Sequence, residues 1–288
     1  MNESVISLKS GTVALPSAPR APRLCPALRA RLRAAGALAD RHIAWALPLL
    51  LLLAWELSTR LGLIRPLFLP APLAVAQTFH DLLVNDRLWL DFTVSVVGVL
   101  RGFVVGTAGG LLLGFMAGAS RTVDRFLGAT LDSIRQVPPL AWLPLLVLWI
   151  GAGSLAKTVI IAKTVFFPVF MNTLQGIRGV AREYIEVGRV FGLGRAQLLR
   201  RIVIPAALPG IFTGLRFGVG LAWATIILAE MLGGRQGLGY LLTRAQELLL
   251  TSQLFVVIVI IGAVGLLIDK GLRRVEARLL HWKKGFEG

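Results

Sequence analysis

Long apolar runs alternate with short polar ones along this chain, and the length of each run predicts what it becomes. Runs at about 43–58, 92–118, 127–150, 155–175, 206–231 and 254–272 approach or exceed the roughly 17–25 residues with which a helix crosses a bilayer, so six transmembrane helices are expected. Between the fourth and fifth runs lies a polar, basic island, EYIEVGRVFGLGRAQLLRRIVIPAALP over 183–209. Ile185, Val187, Val190 and Phe191 give it one short helical stripe, Gly192 and Gly194 break it, and Leu198, Leu199, Ile202 and Val203 give a second. The pattern predicts helix, glycine turn, helix, with Pro205 ending the second helix because proline lacks an N–H and disfavours helix in the residue before it. Neither piece is long enough to span a bilayer. The loop 177–205 is therefore expected as a surface knob held between two membrane segments, with Glu186 and Arg189 on its polar side.

Two of the runs carry structure of their own. In the second, Gly98, Gly102, Gly106, Gly110, Gly114 and Gly118 recur every four residues and leave one helix face nearly bare, which suits close approach of another helix. In the third, Pro138, Pro139 and Pro144 predict a broken helix, tolerated in a bilayer only where protein or a wet cavity satisfies the freed backbone groups. Trp45 and Trp55 sit where aromatics favour the interfaces of the first span, and residues 60–91 read as an outside loop with a short amphipathic helix. The arm 1–41 is rich in Ala, Pro and Arg and has no apolar core near its start, so no cleavable signal is expected. Residues 276–288 form a basic tail.

Composition confirms the class and charge sets the orientation. With 56% hydrophobic residues the chain is too apolar for a wet surface, and an all-α, polytopic membrane protein is expected. Its net charge of +16 would suggest nucleic acid in a soluble protein, but here distribution matters more than the sum. Of 31 Lys and Arg, 21 fall in the N-terminal arm, the 119–126 turn, the loop 177–205 and the basic end from Lys270 on, against five in the intervening loops. The positive-inside rule then puts both termini and the island in the cytoplasm. Five more, Arg101, Arg135, Lys157, Lys163 and Arg216, lie within spans. The single cysteine, Cys25, excludes an internal disulfide, and His42, His80 and His281 are far apart, so no metal site or other cofactor is expected. No phosphate-binding or hydrolase motif is present, so no catalytic residues are expected and the energy source is bound elsewhere.

The spacing of Glu186, Gly192, Ile202 and Pro205 (E, x5, G, x9, I, x2, P) resembles the EAA signature of permease subunits of ATP-binding-cassette importers. In this chain Val187 and Gly188 stand where the signature has its two alanines. LPAP (69–72), VPPLAWLPLLVLWIG (137–151), FFPVFMNTLQGIR (166–178) and ILAEMLGGRQGLGY (227–240) extend the resemblance from Leu47 onward, to permeases for sulfonates, taurine and nitrate, with the match to aliphatic-sulfonate permeases looking closest. The resemblance implies coupling helices that dock on an ATPase subunit, with Glu186, Gly192, Ile202, Pro205 and Arg189 as the coupling residues. It also implies a second copy of the permease, two ATPase subunits and an external solute-binding protein as partners, all in a bacterial inner membrane and in contact with its lipid.

Alternatives from other classes are weaker. A short helix, a turn and a basic second helix also resemble a DNA-binding helix-turn-helix, but bilayer-length flanks leave no soluble domain around it, and no nucleic-acid partner is expected. A secondary transporter would show inverted repeats and intramembrane carboxylates, and a membrane enzyme a catalytic cluster. For a translocated anion, Arg216 lies deepest by position and is expected to line the path at the dimer interface, assisted by Arg101. Pairing of Arg216 with Glu230 is excluded, because about 21 Å of one helix separates them.

Overall fold

The computed structural model describes residues 46–84 and 87–280. Among them all regular structure is helical. The expected N-terminal arm, the first residues of the first span and the end of the tail lie outside the described residues. Residues 1–57 and 58–288 are separate units. Helix α1 (46–60) begins in the first and is leucine-rich, with Leu47, Leu50, Leu51 and Leu53 exposed. The second unit holds α2 (Pro72–Val84), α3 (Arg87–Ala119), α4 (Arg121–Gln136), a 3₁₀ turn (Pro139–Trp142), α5 (Leu143–Ile150), α6 (Ser154–Arg178), α7 (Arg182–Val190), α8 (Arg195–Leu198), a wide i→i+5 turn (Leu199–Val203), α9 (Ile204–Gly233), α10 (Leu238–Glu247) and α11 (Thr251–Leu279).

Four segments are long and apolar enough to cross a membrane: Leu88–Ala119, Ser154–Arg178, Arg195–Gly233 and Thr251–Leu279. They are the expected second, fourth, fifth and sixth spans, each extended at one or both ends, and α11 takes in the first residues of the expected tail. The expected third span is not one helix, because α4 and the segment Pro139–Ile150 meet at 86°. Among the described residues the count is thus four, or five with the bent pair as one span, rather than six; the described part of α1 is shorter than a span requires.

The bend has a local cause. Val137 and Pro138, each followed by proline, are held extended at ψ 118° and 136°, where the ring that follows leaves no room for helix. Pro139 and Pro144 then fall in first turns, where a missing N–H costs no hydrogen bond. The basic segment Arg121–Arg125, expected as a turn, is the first helical turn and more of α4, capped by the Ser120 side chain, which accepts from the Val123 N–H.

The glycine stripe of α3 decides where α6 goes. A Cβ built at Gly106 would lie 2.5 Å from the Ala162 carbonyl oxygen, and at Gly110 and Gly114 2.8 Å from the carbonyls of Phe166 and Phe170. Gly102 and Gly118 meet Ile161 and Ile177 in the same way, and Gly98 meets Ile226 of α9. Any larger residue would push the two backbones apart and forfeit dispersion contacts that the lipid does not replace. From the other side α9 closes on α6 through Gly210, Gly214 and Gly218, against Asn172, Pro168 and Val165. Ile160, Ile161, Val165 and Val169 of α6 are consequently fully buried, sharing one core with Ala222 and Ile226 of α9 and Val257 of α11.

Candidate functional site

The island folds as helix, turn, helix, but its ends differ from the expectation. Helix α7 stops in a Schellman arrangement: the Leu193 N–H donates to the Gly188 carbonyl at 3.0 Å and the Gly192 N–H to the Arg189 carbonyl at 2.9 Å. That reversal needs a left-handed residue, and Gly192 supplies it at φ +74°. Gln197 Oε1 accepts the Gly194 N–H at 3.0 Å and starts the next helix. Pro205 does not end that helix, as the pattern predicted. It sits in the first turn of α9, after a wide turn in which the Ile204 N–H reaches back to the Leu199 carbonyl, so the backbone absorbs the missing donor and stays helical from Arg195 to Gly233. The knob is therefore continuous with a membrane span.

Three of the four motif residues have internal work. Gly192 makes the reversal, Pro205 opens α9, and Ile202 packs with Leu198 over Gly188, where a Cβ would lie 2.6 Å from each side chain. The small residue at 188 is thus a steric requirement, while the bulk at Val187 points away, 54% exposed. The expected apolar stripe of α7 is not packed on its own chain apart from half-buried Ile185: Val190 is 86% and Phe191 79% exposed, and Tyr184 is exposed beside them. Glu186 and Arg189 are exposed on the same short helix, and among the described residues neither side chain has a hydrogen bond or ion pair. The result is an apolar surface with a carboxylate in it.

At the opposite end of α9 lies a polar cluster that periodicity does not reveal. Glu230 is 1% exposed; the Ser95 hydroxyl lies 2.7 and 3.0 Å from its two oxygens, the Gly239 N–H donates to it at 3.0 Å, and Lys157 Nζ stands 3.8 Å away. Ser95 also accepts the Leu238 N–H at 2.9 Å, and Asp91 accepts the Gly237 N–H at 2.7 Å. Three free amides at the start of α10 are thereby capped by side chains from α3 and α9, two of them anionic, as a helix N-terminus prefers. Gly237 (φ +113°) presses on the Glu230 carboxylate so closely that a Cβ there would overlap it. Two signals existed in the sequence: Glu230 as an acidic residue inside an expected span, and the GGRQGLG run that follows it.

The five in-span cations are sorted by partner. Arg216 Nε donates to Asp269 of α11 at 3.0 Å, and Arg273 binds the other Asp269 oxygen at 2.6 Å. Arg135 pairs with Asp132 at 3.2 Å, and Lys157 with Glu230. Arg101 is exposed on α3 and lines a cavity of about 390 Å³ with Lys157 and Arg235, beside the α10 cluster. Lys163 faces a second cavity, between the α4–α5 bend, α6 and α9. The structure does not bring Arg101 and Arg216 together: Gly110 and Gly214 both meet Val169 and Gly98 meets Ile226, so α3 and α9 run antiparallel and the level of Arg216 is roughly 10 Å along α3 from Arg101.

Residues 110–281 match the family described as binding-protein-dependent transport system inner membrane component. The aliphatic sulfonates transport permease protein SsuC of Bacillus subtilis is 36% identical over 242 residues, covering 84% of this chain and 88% of that one. The taurine transport system permease protein TauC of Escherichia coli is 33% identical over 260 residues (84% and 94%), and the nitrate import permease protein NrtB of Synechocystis is 33% identical over 218 (73% and 79%). In the inward-facing MetNI methionine ABC transporter, one chain superposes with a TM-score of 0.54 at 20% identity, covering 68% of this chain and 96% of that chain, which shows a shared fold. With that family model matching more than half of the chain and relatives above 30% identity covered over most of their length, the chain belongs to the binding-protein-dependent transport system inner membrane component family.

Proposed function

We propose that this multi-pass chain forms the translocation path of an ATP-binding-cassette importer for a small anion, an aliphatic sulfonate above taurine or nitrate, with α7 as its docking helix. The observation that carries this is Glu186. Every other residue of the motif is used in building the knob, while Glu186 is exposed amid Tyr184, Val187, Val190 and Phe191. An exposed apolar patch with Glu186 and Arg189 beside it suits a protein partner. Two ATPase subunits, a second permease copy and an extracytoplasmic binding protein complete the assembly in this reading. Of the two arginines expected on the path, Arg101 keeps a place at its outer mouth, whereas the Asp269 pair gives Arg216 a bridging role between α9 and α11.

The test is purification of the tagged chain from its host membrane. It should bring down an ATP-binding-cassette ATPase whose hydrolysis rises when a sulfonate-loaded binding protein is added; isolation without any ATPase counts against the proposal. Orientation is tested separately, after Cys25→Ser. Gly194→Cys should react with an impermeant maleimide only in opened cells, and Arg235→Cys in intact spheroplasts. Labelling of both from one side would refute a cytoplasmic knob.

A further inference from the structure

The cavity between the α4–α5 bend, α6 and α9 has a volume of about 570 Å³, within the range of small-molecule sites. Its walls are mostly apolar: Leu140, Phe167, Met171, Leu221 and Leu228 line it. The polar groups there are nearly all spoken for. Thr164 donates to the Ile160 carbonyl at 2.9 Å, Thr225 lies 3.4 Å from the Thr164 hydroxyl, and Arg135 is paired with Asp132. Lys163 is different. Among the described residues no carboxylate pairs with it; its ammonium donates to the Val137 carbonyl at 2.9 Å and sits 5.6 and 5.7 Å from the ring centroids of Trp142 and Phe167. The neutral groups aim the ammonium and leave two of its three N–H donors free.

Depth makes this unusual. Lys163 lies roughly 13 Å along α6 from Ser154, inside a span of 25 residues, where an uncompensated charge is costly and therefore functional by default. The break at Val137–Pro138 is what supplies its one acceptor, a carbonyl turned out of the helical ladder because Val137, ahead of proline, is held extended.

We propose that this cavity holds the anion during passage, with the headgroup on Lys163 and an aliphatic tail against Phe167, Met171 and Leu221. The proposal rests on the reading of the chain as an anion permease and adds a selectivity to it. A bare oxyanion would pair with Lys163 but leave the apolar wall wet, whereas a tail displaces that water. Affinity should accordingly rise about threefold to fourfold for each added methylene until the wall is covered.

The experiment uses the purified permease–ATPase complex in zwitterionic nanodiscs, without the binding protein, so that only the membrane site is sampled. Calorimetric titration with ethane-, butane- and hexanesulfonate should give Kd values falling by that factor per methylene, with nitrate weaker than all three. Lys163→Gln should weaken butanesulfonate at least tenfold, and Lys163→Arg should restore most of it. Chain-length-independent binding, or an unchanged Kd in Lys163→Gln, overturns the proposal. If Lys163→Gln fails to assemble, Leu221→Gln decides: it should flatten the chain-length dependence, and an undiminished dependence overturns the tail contact. Nanodiscs containing phosphatidylglycerol distinguish the other source of an anionic headgroup with a tail; complete loss of butanesulfonate binding there would assign the cavity to lipid. Sulfonate binding without binding-protein-dependent uptake counts against the importer reading alone, and uptake without binding at this cavity against the present inference alone.

Discussion

Replacing Glu186 by lysine is expected to abolish substrate uptake while the protein remains in the membrane at wild-type abundance. The reason is where strain would and would not arise. The Glu186 side chain is exposed and makes no hydrogen bond or ion pair among the described residues, so the substitution leaves the Schellman turn, the Gly188 packing and α9 intact. Its carboxylate stands within an exposed apolar patch, so in a docked complex it would be desolvated and would need a cationic partner. Reversing such a charge leaves two like charges in the interface, and truncating one partner of a buried interfacial pair already costs about 2–5 kcal/mol. Even the lower bound is more than a tenfold loss of docking. Because α7 is keyed to Leu198 and Ile202, and these are continuous with α9, a push on the knob reaches the span directly. The measurement is binding-protein-dependent uptake in vesicles, with blotting for abundance and co-purification of the ATPase. Normal uptake at normal abundance would remove Glu186 from the coupling contact.

Glu230→Ala is expected to fail earlier, at folding. The substitution leaves the Ser95 hydroxyl, the Gly239 amide and Lys157 without the carboxylate they share. Removing one partner from a buried ionic cluster costs about 3–5 kcal/mol, a large part of the roughly 5–15 kcal/mol by which a domain is stable. Detergent-solubilised Glu230→Ala should therefore aggregate or melt well below wild type. Gly237→Ala should resemble it, since the added methyl displaces the same carboxylate, and Glu230→Gln should be milder because an amide oxygen still accepts from Gly239. An unchanged Tm in Glu230→Ala would show that α10 is not held by this cluster.

Much of this was readable from the chain because membrane folds obey strong local rules. Apolar length located four spans but not all their ends, which run on by as much as eleven residues at Arg195; the every-fourth glycine of α3 announced a close helix contact, and Pro138–Pro139 announced a break. The island's turn was legible because Gly192 and Gly194 interrupt a 3.6-residue period. The angle of the break was not legible, since proline removes a hydrogen bond without choosing the direction taken next. Nor was the continuity at Pro205: a missing N–H ends a helix only if the register cannot widen, and the five-residue turn at Leu199–Val203 is a property of the packed knob.

Charge was the hardest to read. Position in the sequence marked Arg101, Arg135, Lys157, Lys163 and Arg216 as costly and placed Glu230 inside a span, but apart from the local Arg135–Asp132 pair the partners come from other helices. Asp269, far from Arg216 in sequence, is the residue that meets it, and Ser95 and Asp91 reach α10 across the whole chain. The sequence by itself determined what each segment is, because helix formation, span length and chain breaks depend on neighbours along the chain and on the solvent. Only the tertiary structure decided which ionised groups neutralise one another and which, like Lys163, are left facing a cavity, because an electrostatic partner is set by distance in space.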